Sequence, residues 1–201
     1  MKNDSRYVRF AHLVPLALLA IGFPSLAQAH VGAGEAHGFM HGLAHPLAGL
    51  DHLCVMVAVG LWAAQMGGRA MWRVPLAFVS IMALGGVLGM AAVPVPFIEG
   101  GIAMSLLVLG VLIAAAVRLP LLLSAAIVGV FAVFHGYAHG AEMPQNTSGL
   151  EYAAGFVLTT ALLHASGIAV ALLAKSRGRV QWLRLAGAAI ALCGGGIWFA
   201  G

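Results

Sequence analysis

The stretch HGLAHPLAGLDH, residues 41–52, holds three histidines and an aspartate, and the apolar run LCVMVAVGLWAA follows it directly. A second stretch, FHGYAHGAE at 134–142, holds two histidines and a glutamate. Neutral imidazole together with carboxylate is a donor set for divalent first-row metals: nickel, cobalt, zinc and copper. The spacing groups these donors. Each residue on an α-helix advances roughly 100°. With His41 as zero, a continuous helix would place His37 near about −40°, His45 near about +40°, His52 near about +20° and Asp51 near about −80°. Four imidazoles would then share one stripe with an aspartate beside it. His135, His139 and Glu142 are spaced i, i+4 and i+7, which is again a single face.

Other chemistries are less well served. The cysteines, Cys54 and Cys193, lie in apolar segments without C-x-x-C spacing and read as small buried hydrophobes. A site poor in sulfur fits nickel or cobalt better than copper(I). No H-E-x-x-H pattern supports a zincin-type hydrolase, and no G-x-x-x-x-G-K-[ST] pattern supports nucleotide hydrolysis. An enzyme is not expected, and neither is a permanently bound cofactor.

The surrounding chain is apolar: 62% of its 201 residues are hydrophobic and only 8% charged, with mean hydropathy +1.00. Soluble domains carry about a quarter charged residues, so the chain reads as an all-α integral membrane protein with the lipid bilayer as its solvent. Lys2, Arg6 and Arg9, the run LVPLALLAIGF and the Ala27-Gln28-Ala29 site together read as a cleaved signal peptide, 1–29. Residues 30–201 then form a bundle of six transmembrane helices. The expected spans are about 39–64, 75–93, 97–117, 119–139, 150–174 and 182–200, each near the roughly 20 residues a bilayer requires. On this topology Arg69, Arg73, Arg118, Lys175, Arg177, Arg179 and Arg184 all fall in or beside the loops after spans one, three and five. That bias places these loops inside and both mature termini outside. The net charge of +4 is therefore topological, and no nucleic-acid patch exists. Glycines within spans, such as Gly85-x-x-x-Gly89, mark close helix packing.

The topology gives the two motifs a common location. HGLAH begins one span and HGYAH ends an antiparallel one, so both reach the outer side. His52, some 20 Å along a continuous first helix, would lie at or past the bilayer midplane. Ionisable groups in a membrane are costly and line pathways by default. His45, Asp51, His52, His135, His139 and Glu142 are therefore the expected metal-handling residues. His30, whose α-amine and imidazole form one bidentate donor once the leader is removed, would capture metal outside with Glu35, His37 and His41. Only His164 among the histidines after residue 29 falls outside these groups, and it has no assigned role. Glu99 and Glu151 begin spans, where a carboxylate complements the helix N-terminus without further purpose.

Two patterns carry a family resemblance. H-P-x-x-G-x-D-H is present as His45, Pro46, Gly49, Asp51 and His52. F-H-G-x-A-H-G-x-E is present as Phe134, His135, Gly136, Ala138, His139, Gly140 and Glu142. Both resemble the HupE/UreJ hydrogenase and urease accessory proteins over the whole chain. The resemblance implies a gradient-driven bacterial inner-membrane permease for Ni2+ or Co2+, and it maps the family's metal-handling residues onto the six named above. A periplasmic metal donor and self-association are partners open to such a permease. Read from the residues alone, a membrane zinc hydrolase, a bis-histidine haem protein and a non-transporting metal sensor or chaperone remain alternatives.

Overall fold

The computed structural model describes residues 38–143 and 147–200. The expected signal peptide, and with it His30, Glu35 and His37, lies outside the described residues. Within them the chain is helical throughout, without a strand: α1 Gly38–Ala48, α2 Leu50–Met66, α3 Ala70–Met90, α4 Ile98–Ala114, α5 Leu121–Ala141, α6 Gly149–Ser176 and α7 Val180–Ala200. By length and composition α3, α5, α6 and α7 can each cross a bilayer, and α1 with α2 makes a fifth candidate. α4 is apolar but shorter, at 17 residues. The apolar composition thus resolves into a multi-pass helical bundle.

The first expected span is not one continuous helix. It breaks at Gly49, and α1 and α2 meet at 84°. Gly49 is extended, with φ −102° and ψ 123°. The Asp51 side chain, two residues on, substitutes for the interrupted ladder: its Oδ1 accepts the His52 backbone N–H at 2.8 Å. Leu53 N–H then donates to the Gly49 carbonyl and starts α2. Pro46, lacking an N–H of its own, sits one turn before the break in α1. The stripe expected on a continuous helix is therefore divided. His41 and His45 belong to α1, while His52 is in the first turn of α2, so its depth is not set by distance along a single axis. α3 also departs from expectation, starting at Ala70 and carrying Pro75 in its second turn rather than at its boundary.

Glycines set how closely the helices pack. A methyl at Gly60 of α2 would run into the His164 carbonyl of α6, and one at Gly167 of α6 into the Val57 carbonyl. Gly42 of α1 meets the Tyr152 carbonyl in the same way, and Gly155 of α6 meets that of Phe39. α6 thus supports both halves of the broken span, and Thr159 Oγ1 adds a hydrogen bond to the Leu43 carbonyl at 2.9 Å. Gly136 and Gly140 of α5 press on the Met82 and Gly86 carbonyls of α3. In both H-G-x-A-H motifs the glycine lets a neighbouring backbone approach the histidines.

These registers also fix helix directions. Successive contacts run in the same sense along α2 and α6, and along α3 and α5, but in opposite senses along α4 and α7. At one end of the bundle Trp62 Nε1 donates to the Val117 carbonyl and Gln65 Nε2 to that of Ile113. Lys175 Nζ donates to Ala64 O and Arg184 Nε to Ala114 O, so cations cap the C-terminal carbonyls of α2 and α4. Arg69, Arg73, Arg118, Arg177 and Arg179 lie at or beside the same helix ends. The described acidic residues, Asp51, Glu99, Glu142 and Glu151, all lie at the opposite end.

A matched pair of glycine variants tests this packing. Gly60→Ala should destabilise the detergent-purified protein by about 1–3 kcal/mol, because α2 and α6 must separate. Gly195→Ala, where an added methyl meets nothing within 4 Å, should be neutral or slightly stabilising. Thermal melts followed by tryptophan fluorescence read the difference, and equal melting temperatures would reject the close α2–α6 contact.

Candidate functional site

The six side chains singled out by type and spacing form one connected row. Glu142 caps the C-terminus of α5, where its Oε2 lies 3.0 Å from His45 Nε2 of α1. This pair is the exposed mouth, with side-chain exposures of 61% for Glu142 and 27% for His45. The His45 ring lies 4.8 Å from that of His139, which lies 4.7 Å from His52, which in turn lies 4.8 Å from His135. His139 and His135 are buried on one face of α5. The row thus draws on α1, α2 and α5. The 84° break brings His45 and His52 to His139 from two separate helices.

Hydrogen bonds set which ring nitrogens carry lone pairs. Asp51 Oδ1 lies 3.1 Å from His52 Nδ1. An ionised carboxylate only accepts, so Nδ1 carries the hydrogen and Nε2 keeps its lone pair. Ser105 of α4 does the equivalent for His135. Its hydroxyl donates to the Ile102 carbonyl at 2.6 Å, so at the 3.0 Å contact with His135 Nε2 the oxygen accepts. His135 Nδ1 is then the free lone pair. His52 Nε2, His135 Nδ1 and both nitrogens of His139 are buried with no partner among the described residues. Each such group costs about 1–3 kcal/mol unless something satisfies it. One His139 nitrogen carries the ring hydrogen, so the row offers three unpartnered lone pairs, one each on His52, His135 and His139, which are chemically suited to a cation with vacant coordination positions.

Aromatic rings hold the row from outside. Phe156 of α6 stacks on His139 at 5.4 Å and 22°. Tyr152 lies 5.8 Å from His45, and Phe78 of α3 lies 5.8 Å from His135. Ser105, Phe78, Tyr152 and Phe156 were not indicated by the motifs. Ser105 left only a faint trace, a single hydroxyl in the apolar run IAMSLLVLG, and the aromatics are ordinary in membrane helices. His41 is exposed on α1, one turn before His45. Glu99 and Glu151 are exposed in the first turns of α4 and α6. Among the described residues no three His, Cys, Asp or Glu side chains are grouped so as to hold one ion. The arrangement is a succession of neighbouring pairs.

The pattern of the HupE / UreJ protein family matches residues 17–197. The chain belongs to the HupE/UreJ family. It is 45% identical over 181 residues to Protein HupE of Rhizobium leguminosarum bv. viciae, covering 90% of this chain and 94% of that one. No solved structure matches it. Membership bears out the resemblance carried by the two histidine motifs. A HupE/UreJ hydrogenase or urease accessory protein is consistent with metal transport in general and is not a known type of enzyme.

Burial orders the histidines by reactivity. Carbethoxylation of the detergent-purified protein, read by peptide mass spectrometry, should modify His41 first and His45 more slowly. His135 and His139 should resist until the protein unfolds. Labelling of His135 as fast as His41 would contradict the buried row.

Proposed function

We propose that this protein is an inner-membrane permease for a divalent first-row cation, Ni2+ or Co2+, and that the ion moves along the His45–His139–His52–His135 row. One observation carries the reading: buried imidazoles with unpartnered nitrogens follow one another at ring separations of 4.7–4.8 Å from an exposed Glu142–His45 mouth. A transported ion must be bound strongly enough to be selected and weakly enough to leave. Pairs that share a histidine suit that demand, because one new bond can form before the previous one breaks.

Each residue then has a role. Glu142 and His45 draw the cation from outside, the carboxylate contributing charge and the imidazole the first nitrogen bond. His139, whose ring lies beside both His45 and His52, offers its one lone pair between the mouth and His52. Asp51 holds His52 with Nε2 forward and adds negative charge where the ion is desolvated. Ser105 holds His135 with Nδ1 forward.

The membrane placement is part of the same proposal. Counting α1–α2 as one span and the short α4 as another gives six. The cationic end of the bundle faces the cytoplasm by the positive-inside bias, which leaves the Glu142–His45 mouth and both mature termini in the periplasm. Supply of the ion to metalloenzyme maturation follows from the accessory role of the family. His30, His37 and His41 serve as an outer capture group, and delivery by a periplasmic donor would converge on the same mouth.

Uptake of radiolabelled nickel or cobalt into proteoliposomes tests the reading. Wild type should load the vesicles, while His52→Ala and His139→Ala should lose about tenfold or more. Equal loading by all three, or none above protein-free vesicles, sinks the permease. The pH profile carries a definite sign: a protonated imidazole has no lone pair, so uptake should fall toward acid pH. The triple change His30→Ala, His37→Ala, His41→Ala should lower uptake only at scarce metal. Unchanged uptake at nanomolar metal would remove the capture role.

A further inference from the structure

His164 belongs to neither histidine motif, yet the fold places it in line with them. It is 2% exposed, in the interior of α6. Both of its ring nitrogens are buried without a hydrogen-bond partner among the described residues. A buried imidazole kept only for its shape would be less costly as leucine, since each unsatisfied polar atom costs about 1–3 kcal/mol.

Its neighbours indicate direction. The Phe78 ring packs edge-on against His164 at 5.2 Å, and the same ring lies 5.8 Å from His135, the innermost member of the row. α3 and α6 run antiparallel in steps of one turn. Gly86 faces Phe156, Met82 Sδ accepts from Thr160 Oγ1 at 3.7 Å, and Phe78 faces His164. Phe156 is the ring stacked on His139. Moving along α6 from Phe156 through Thr160 to His164 therefore leads from the level of the row toward the cationic end. The backbone there is fixed, because Gly60 of α2 packs directly on the His164 carbonyl.

We propose that His164 is a further binding station for the transported divalent cation, on the cytoplasmic side of His135 and separated from it by the Phe78 ring. The proposal rests on the permease reading. Its ligand class is the same first-row cation, held by the His164 imidazole, with the Thr160 hydroxyl one turn away on α6. An ion leaving His135 then meets a single nitrogen rather than another shared pair, which suits release.

The test uses the full-length protein in proteoliposomes with Ni2+, Co2+ and Cd2+ as probes, comparing wild type with His164→Leu and His164→Cys. Leucine is close in volume and has no lone pair. His164→Leu should keep the half-saturating concentration of Ni2+ within about twofold, since the outer row is intact, while maximal uptake falls about tenfold or more. His164→Cys supplies a soft donor at the same place and should move preference from Ni2+ toward Cd2+ by about fivefold or more. A packing role would produce neither the split nor the changed preference. Wild-type uptake accompanied by wild-type behaviour of the Leu variant overturns the His164 station alone. Absence of uptake by wild type overturns the permease reading and the station with it. If the Leu variant does not fold, an unchanged metal preference in the Cys variant overturns the station.

Discussion

An apolar membrane interior supplies no hydrogen-bond partner, so a buried polar group is satisfied by the protein or remains costly. The backbone meets that demand by being helical. The imidazoles meet it only in part. Asp51 satisfies one nitrogen of His52 and Ser105 one nitrogen of His135, while His139 and His164 have neither satisfied among the described residues. The unsatisfied nitrogens of His139, His52 and His135 lie along one row that begins at the exposed Glu142 and the partly exposed His45.

Close helix packing brings the imidazole row together. Glycine contacts hold α6 against α1 and α2, and α5 against α3, so that backbones touch where most side chains would separate them. The row occupies the space between these pairs, with Phe156, Tyr152 and Phe78 filling the gaps around the rings. The break at Gly49 belongs to the same construction. It costs a continuous ladder, but the turn lets Asp51 reach both the backbone and the ring of His52. One carboxylate in the first turn of α2 thus accepts a backbone N–H and orients the His52 ring.

Charge is separated along the bundle axis. Cations cap the C-termini of α2 and α4 and gather at that end, and the described carboxylates lie at the other. On the proposed permease reading, negative charge at the mouth would attract a divalent cation before it loses water. Further into the row Asp51 is the carboxylate, beside His52, and the rest of the row is imidazole.

Much of this was legible in residue order. Composition required a membrane bundle, the i, i+4 histidines of HGYAH required one polar face on α5, and the alternating basic loops required alternating helix directions. The partnership of HGLAH with HGYAH followed from topology, because both motifs end on one side. The wheel drawn through His41, His45 and His52 failed, because it assumed one axis where Gly49 makes two. Ser105, Phe78 and His164 were not legible, since a lone hydroxyl, a phenylalanine or a single histidine in an apolar run has no periodicity to mark it. The sequence by itself determined which donors exist and which end of the bundle they reach, because residue type and helical period are local properties. Only the tertiary structure decided which nitrogens stay free and which rings become neighbours, because those depend on contacts between helices far apart in the chain.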